Sequence, residues 1–190
     1  MQPAIVSLLL NLLLALVTTA SQQQSKTSAG VAALPQADGV YYRQSAAKWI
    51  QLTQARVADS KIRGMETYLQ TDGLTGLNMN FVYPGAHAAI QIFEKRPTFF
   101  VRGIGTGAEA LIVQLTCKKD SRAVSTTSLN AARENDAGFD KKDIHRVVVV
   151  LSLDGGFSAT PEENLKPGEY LLTFGSANTG YDFGISSAKR

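Results

Sequence analysis

The sequence predicts a mostly β domain, an antiparallel β-sandwich or a partly open barrel, that follows an N-terminal signal segment. From residue 38 onward, short runs rich in β-branched and aromatic residues alternate with glycine, proline and Asn/Asp turn signals. No long stretch carries the 3.6-residue apolar period of an amphipathic helix. Many short strands without intervening helices are typical of sandwiches and barrels.

The N-terminus is typical of an export signal. Residues 4–17 are apolar except for Ser7 and Asn11, and Lys26 is the first charged side chain. This run is shorter than the roughly 20 residues that a membrane-spanning helix needs, and it suits the apolar region of a signal peptide. Small residues follow, so we expect cleavage after Ala20 and a secreted or periplasmic protein. The alternative is an uncleaved anchor, because the segment before the apolar run has no Lys or Arg.

Three regions follow from composition. Residues 1–20 are the predicted signal peptide, and residues 21–36, rich in Gln, Ser and Ala, are a predicted flexible spacer. Residues 37–190 form a predicted single β-rich domain, long enough for a sizeable core. After cleavage we expect no stable membrane span.

The charge balance argues against a nucleic-acid partner. The chain has 19 Lys and Arg against 16 Asp and Glu, a net charge of +3 and a pI near 9.0. These charges are interspersed along the sequence, whereas a nucleic-acid-binding domain concentrates basic residues in one patch. We therefore expect a protein or polysaccharide partner of unknown identity.

The first half of the domain predicts short strands joined by turns. Two β-type runs flank a turn at 44–47, which indicates an opening hairpin. Leu77, Met79, Phe81 and Tyr83 alternate in the manner of a half-buried strand. The predicted strands are 39–43, 48–52, about 62–69, 77–83, 88–93, 98–102 and 110–118.

In the second half, residues 120–143 form a polar insertion with one predicted short helix near 129–134. Residues 144–153 include four consecutive valines and are apolar on both faces, which predicts a central strand. A tight turn at 154–156 leads into a predicted strand at 157–160. Thr160, Pro161 and the two glutamates after them predict a helix start. Two more strands, 169–174 and about 181–185, close the domain.

Cys117 is the only cysteine, so the chain has no internal disulfide. It continues the alternating series Leu111, Val113 and Leu115, whose side chains share one face of a strand. That apolar face predicts a buried thiol that acts as a small hydrophobe rather than as a nucleophile.

The residues predict no metal site and no cofactor. His87 and His145 lack the spacing of zinc ligands. The acidic loop around Asp136 and Asp140, with Glu134 and Asp143, does not follow the calcium-loop pattern. No Gly-x-Ser-x-Gly motif is present, and the glycines at 103–107 are a hairpin turn without a following helix. No catalytic residue is therefore assigned.

The aromatic residues are the best candidates for a binding site. Tyr41 and Tyr42 are adjacent on a strand, so they face opposite sides and one of them can lie outside. Trp49 on the partner strand could join it in a flat surface for a sugar ring or a peptide. The alternative is that these side chains pack the core, and the same choice applies to Phe99 and Phe100.

Three segments carry a family resemblance. The hairpin reads Gly-Val-Tyr-Tyr-Arg at 39–43 and Lys-Trp-Ile-Gln-Leu at 48–52. The strand at 110–115 reads Ala-Leu-Ile-Val-Gln-Leu, with Lys-Lys-Asp-Ser-Arg at 118–122, and residues 165–175 read Leu-Lys-Pro-Gly-Glu-Tyr-Leu-Leu-Thr-Phe-Gly. Together they resemble uncharacterised exported bacterial β-domains. The resemblance implies export and a β fold, and it brings no assigned activity and no functional residues.

The sequence therefore predicts an exported, non-catalytic module of unknown specificity that binds or supports another envelope or extracellular molecule. The alternative is a hydrolase of envelope polymers, which would require two converging carboxylates in a deep cleft.

Overall fold

The computed structural model describes residues 32–71, 77–128, 138–176, 178 and 180–187. These residues fall in one compact unit that spans Ala32–Arg190. The predicted signal peptide, residues 21–31 of the predicted spacer and the predicted helix near 129–134 lie outside the described residues.

The described residues form fifteen strands, one α-helix and two short 3-10 helices. The helix α1 is Met65–Gln70, and the 3-10 helices η1 and η2 are Gly107–Glu109 and Lys141–Asp143. The strands are β1 Gly39–Ser45, β2 Lys48–Leu52, β3 Gln54–Ala55, β4 Asp59–Arg63, β5 Leu77–Pro84, β6 Gln91–Ile92, β7 Phe99–Arg102, β8 Ala110–Cys117, β9 Ser121–Ser128, β10 Gly138–Phe139, β11 Ile144–His145, β12 Val147–Leu151, β13 Phe157–Pro161, β14 Gly168–Phe174 and β15 Gly180–Ile185.

The strands form two sheets. The five-stranded sheet has the order β12-β13-β7-β1-β2, and every neighbouring pair in it is antiparallel. The ten-stranded sheet has the order β3-β15-β14-β8-β9-β5-β4 and is extended by β6, β10 and β11. One sheet closes partway into a half-barrel, and the structure is consistent with a β-sandwich or partly open barrel. The predicted fold class is confirmed.

The main core lies between the two sheets. Phe99 of the five-stranded sheet and Phe183 of the ten-stranded sheet have ring centroids 4.8 Å apart, and Phe183 stacks on Tyr170 at 5.7 Å. All three side chains are fully buried. Aromatic side chains bury large areas and favour such tilted or offset contacts, so this cluster holds the sheets together.

A second core occupies the other face of the ten-stranded sheet. Along β14, Tyr170 and Leu172 face the main core while Leu171 between them faces the second one, as the two-residue period of a strand requires. Both faces of β14 are thus buried. The second core consists of Ala55, Phe81, Tyr83, Val113, Leu115, Val124 and Leu171.

The valine-rich segment does not form the predicted central strand. Ile144 and His145 pair with β8 in the ten-stranded sheet, whereas Val147–Leu151 pairs with β13 and is the terminal strand of the five-stranded sheet. Val148 is 46% exposed and Val150 is 61% exposed. Apolar residues on both faces of a strand do not distinguish a central strand from an edge strand whose outer side chains are left uncovered.

Further local predictions are wrong. The predicted polar insertion at 120–143 contains strand β9, which pairs with β5 and β8. Pro161 ends strand β13 opposite Val147 instead of starting a helix, because a proline at a strand end has no ladder hydrogen bond to lose. The predicted strand at 62–69 is divided at Gly64, whose φ of 85° is left-handed, and α1 follows it. Glycine adopts this conformation without the penalty that other residues incur.

Cys117 is exposed and not buried. Val113 and Leu115 on the same face are buried in the second core, as the alternation predicts. Cys117 is the last residue of β8, at the point where the chain turns toward β9. The covering layer ends before this position, so a shared face does not ensure shared burial.

Candidate functional site

The outer face of the five-stranded sheet carries the aromatic residues that the sequence predicts for binding. We use "outer face" for the side of this sheet that points away from the main core. Residues directly opposite each other in neighbouring strands place their side chains on the same face. One row across the sheet is Val150, Ser158, Phe100, Tyr41 and Gln51.

A second row runs parallel to the first. Val148 lies opposite Thr160, and Arg43 lies opposite Trp49. Thr98 links the two halves of the row, because its hydroxyl lies 3.1 Å from the Thr160 hydroxyl and its carbonyl accepts from the Arg43 amide. The outer face therefore has three parts. These are the valine edge (Val148 and Val150), a central hydroxyl patch (Thr98, Ser158 and Thr160) and an aromatic side (Tyr41, Trp49 and Phe100).

The aromatic side is a packed cluster. Trp49 and Phe100 have ring centroids 5.9 Å apart, and the Arg43 guanidinium lies 5.8 Å from the centre of the Trp49 ring. A cation at this distance is attracted by the electron-rich face of the indole. Phe100 is fully buried and Tyr41 is 8% exposed, whereas Trp49 is only partly buried.

The segment 32–37 lies against this aromatic side. The Ala32 amide donates to the Ala46 carbonyl at the hairpin turn, and the Pro35 carbonyl accepts from Arg102. The Tyr41 hydroxyl donates to the Ala37 carbonyl at 3.1 Å. The last residues of the predicted spacer are therefore hydrogen-bonded to the domain and cover the aromatic residues from outside.

The predicted binding residues divide between the two faces. Tyr42 packs in the main core against Phe99, with ring centroids 6.2 Å apart, and burial raises the pKa of its hydroxyl, with a smaller contribution from Glu94. Tyr41 and Trp49 share the outer face. Tyr42 thus faces the main core, and Trp49 is the most accessible of these three aromatic residues.

The valine edge is the accessible apolar part of the outer face. Val148 and Val150 point outward from β12, and Leu151 and Leu153 follow at its end with exposures of 78% and 107%. The hydroxyls of Ser158 and Thr160 lie beside these valines on the neighbouring strand. Contiguous exposed apolar side chains next to polar ones are typical of an interaction surface.

A group of buried charges lies at one end of the second core. The Arg122 guanidinium donates to Asp182 at 2.5 Å and lies 3.7 Å from Glu169. Arg122 also donates to the carbonyls of Pro84 and Gly85. Arg122 and Glu169 are 4% and 3% exposed. Ion pairs this deeply buried cost desolvation and persist where further hydrogen bonds satisfy them.

Glu169 holds the loop that follows β5. Its carboxylate accepts from the Ala88 amide at 2.7 Å and from Gln91 Nε2 at 3.1 Å, and it pairs with His87 Nδ1 at 3.0 Å. The nearby Tyr83 is fully buried. Its pKa is raised by burial and further by Asp182, while Arg122 opposes the change. Through these contacts, Glu169 and Arg122 anchor the loop that follows β5.

His145 lines a small cavity of about 220 Å³ together with Ile144, Arg146, Glu162 and Glu163. Burial lowers the pKa of His145, and the carboxylates of Glu163 and Asp143 partly oppose this. His145 Nε2 is buried without a hydrogen-bond partner. The ring meets Tyr170 edge-on at 5.6 Å. Cavities that bind drug-sized ligands are usually about 300–1,000 Å³, so this one suits only a small group.

Within the described ranges, no group of three or more His, Cys, Asp or Glu side chains is arranged to hold a metal ion. Of the acidic loop residues, Glu134 and Asp136 lie outside the described residues, and Asp140 pairs with Lys142 at 2.8 Å. No helix in the described part of the chain combines the length and apolar character that crossing a membrane requires.

Comparison with models of protein families, with curated proteins and with solved structures finds no match to this chain.

The sequence points to Tyr41 and Trp49 but not to the valine edge or the buried charges. Val148 and Val150 sit in a run that looks like core until the strand order is known. Glu169 and Arg122 are far apart in sequence, and each looks like a polar residue of a half-exposed strand. No local signal identifies the edge, because the position of β12 in its sheet is set by long-range pairing.

Proposed function

We propose that this protein is an exported, non-catalytic module that binds or supports another envelope or extracellular molecule through the outer face of the five-stranded sheet. The surface comprises the valine edge, the neighbouring hydroxyl patch and the accessible part of the Trp49 side chain. The apolar segment at residues 4–17 and the small residues that end at Ala20 support the export part of this proposal.

The observation that carries this proposal is the exposure of Val148 and Val150 on a regular strand. Isolated apolar residues on a surface need no explanation, but a contiguous group marks an interaction site. Ser158 and Thr160 beside them supply donors and acceptors for a polar rim. This combination of an apolar centre and a polar surround is typical of a protein-binding surface.

The arrangement of the buried charges supports a non-catalytic role. The Glu169 carboxylate is engaged by the Ala88 amide and the Gln91 amide group, and Arg122 is engaged by Asp182 and two backbone carbonyls. A catalytic acid or base must reach the atom whose proton it transfers. Because Glu169 and Arg122 are held by internal hydrogen bonds, we infer that their role is structural.

A hydrolase of envelope polymers is the second candidate, and the His145 cavity is the observation that favours it. An imidazole whose pKa is lowered by burial, beside Glu162 and Glu163, has the residue types of a general acid–base pair. The cavity volume of about 220 Å³ is small for a polymer unit. Unchanged activity toward an envelope polymer after His145→Gln would exclude this site as the catalytic centre.

The proposed function is testable by site-specific cross-linking in the cells that produce the protein. A photoreactive amino acid replaces Val150 on the valine edge, and in a matched control it replaces Lys61, which is exposed on the other sheet. We expect discrete cross-linked products from position 150 and not from position 61. Equal labelling from both positions, or none from position 150, would contradict the proposal.

A further inference from the structure

Strand β12 presents one unpaired backbone edge within the described part of the chain. Its other edge pairs with β13, where the Glu162 amide donates to the Arg146 carbonyl and the Ser152 amide donates to the Gly156 carbonyl. Backbone groups alternate sides along an antiparallel strand. Since Arg146 and Ser152 bond toward β13, the backbone groups of Val147, Val149 and Leu151 point to the opposite side.

This edge lacks the features by which strand edges avoid association. The terminal strand β4 of the ten-stranded sheet carries Asp59, Lys61 and Arg63, and the terminal strand β2 begins with Lys48. Charged side chains on an edge oppose pairing with another chain. The sequence of β12, Val-Val-Val-Val-Leu, has no charge, no proline and no glycine.

We propose that a second copy of this chain pairs with β12 in antiparallel orientation, with the two-fold axis at Val149. This register matches Val147 to Leu151 and Val148 to Val150 of the second copy. It joins the unpaired backbone groups of Val147, Val149 and Leu151 in the two strands by about six hydrogen bonds, two for each bonded pair. The two five-stranded sheets then become one continuous sheet, and the interface is the same patch on both copies.

Charge complementarity selects a second copy as the occupant. Arg146 precedes β12 and Asp154 follows it. Antiparallel pairing brings the Arg146 end of one copy beside the Asp154 end of the other, at both ends of the interface. Between these ends, valines face valines on the outer face, and β-branched cross-strand pairs stabilise a sheet.

This inference rests on the proposed function in one respect, since it uses the same strand as a contact surface. Edge pairing leaves the outward side chains of Val148 and Val150 accessible from above the sheet. The two copies together then present four adjacent valines, a larger apolar surface than one copy offers.

The test is sedimentation equilibrium of the protein in the form that the cell produces, with charge substitutions on the valine edge. We expect a dimer for the wild type. Val148→Lys with Val150→Lys places like charges opposite each other, and we expect dimer affinity to fall at least about tenfold. Val148→Lys with Val150→Glu places opposite charges together and is expected to restore the dimer.

The matched control is Ile62→Lys, which adds a charge at a side chain that is 52% exposed on strand β4. It should leave the dimer unchanged. A wild type that stays monomeric at about 1 mM would overturn the inference. An equal loss of dimer affinity in the Lys/Lys and the Lys/Glu double variants would also overturn it. Cross-links from position 150 to other molecules in a monomeric protein would preserve the proposed function while the dimer fails.

Discussion

Tyr41 and Tyr42 are adjacent in the chain and belong to different layers of the fold. Tyr42 packs against Phe99 in the main core, whereas Tyr41 lies on the outer face, opposite Phe100 in the pairing of β1 with β7. The two-residue period of a strand requires that they separate. Which of them enters the core depends on the position of the second sheet. Tyr41 is nevertheless more than nine-tenths buried, because the segment 32–37 covers this part of the outer face.

Cys117 gives a direct test of burial at one residue. Its thiol is exposed at the end of β8, so we expect a thiol reagent to label the native protein at a rate within about tenfold of that in denaturant. Mass spectrometry measures the modified fraction over time, and Cys117→Ser is the unlabelled control. Protection that persists until the protein unfolds would show that the thiol is covered.

At the scale of elements, the hairpin of β12 and β13 decides the character of the outer face. Its turn contains Gly155 and Gly156, and Arg102 connects this turn to the segment 32–37 by bonds to the carbonyls of Asp154 and Pro35. The strand change between β11 and β12 moves the chain from one sheet to the other. This change places the valines at an edge.

Gly156→Ala tests how tightly that turn packs. Gly156 has a φ of 88°, and a Cβ there would lie 2.3 Å from the Val101 carbonyl oxygen. Because the clash is with backbone, we expect a loss of about 3 kcal/mol or more in the free energy of unfolding in urea. Gly175→Ala is the matched control, since its φ is 77° with no atom near the added Cβ.

The expected loss at Gly175 is about 1 kcal/mol, which is the cost of the left-handed conformation alone. Equal losses at the two positions would mean that the backbone around Val101 adjusts to the added methyl group. The tight approach of the turn to β7 would then contribute little to the stability of the hairpin.

At the scale of the whole molecule, the predicted export of the protein depends on its first twenty residues. We expect the mature chain to begin at Ser21, because small residues precede this position and the apolar run is too short to span a bilayer. N-terminal sequencing and the intact mass of the purified protein measure the cleavage site. Ala20→Arg should block processing and leave the longer precursor.

Ala33→Arg is the control for this experiment, because it adds the same charge beyond the expected cleavage site and should leave processing unchanged. A wild-type protein that retains residues 1–20 would contradict cleavage and support the uncleaved anchor. A processed protein in the cytoplasmic fraction would contradict export itself.

Local patterns determined most of the strands and the fold class. The hairpin of β1 and β2, the alternation in β5 and the turn before β14 are visible in sequence because strand period and turn chemistry act over a few residues. The face shared by Val113 and Leu115 follows from the same period. The signal segment is also a local feature, and it stays a prediction because it lies outside the described residues.

Strand order and covering layers were decided only by the tertiary structure. Whether Val148 and Val150 are core or edge depends on where β12 falls in its sheet, and whether Cys117 is buried depends on where the second core ends. The pairing of Arg122 with Glu169 and Asp182 joins three distant strands. Such contacts arise from long-range packing, which a short window of sequence does not encode, and so the proposed contact surface became visible only in the folded molecule.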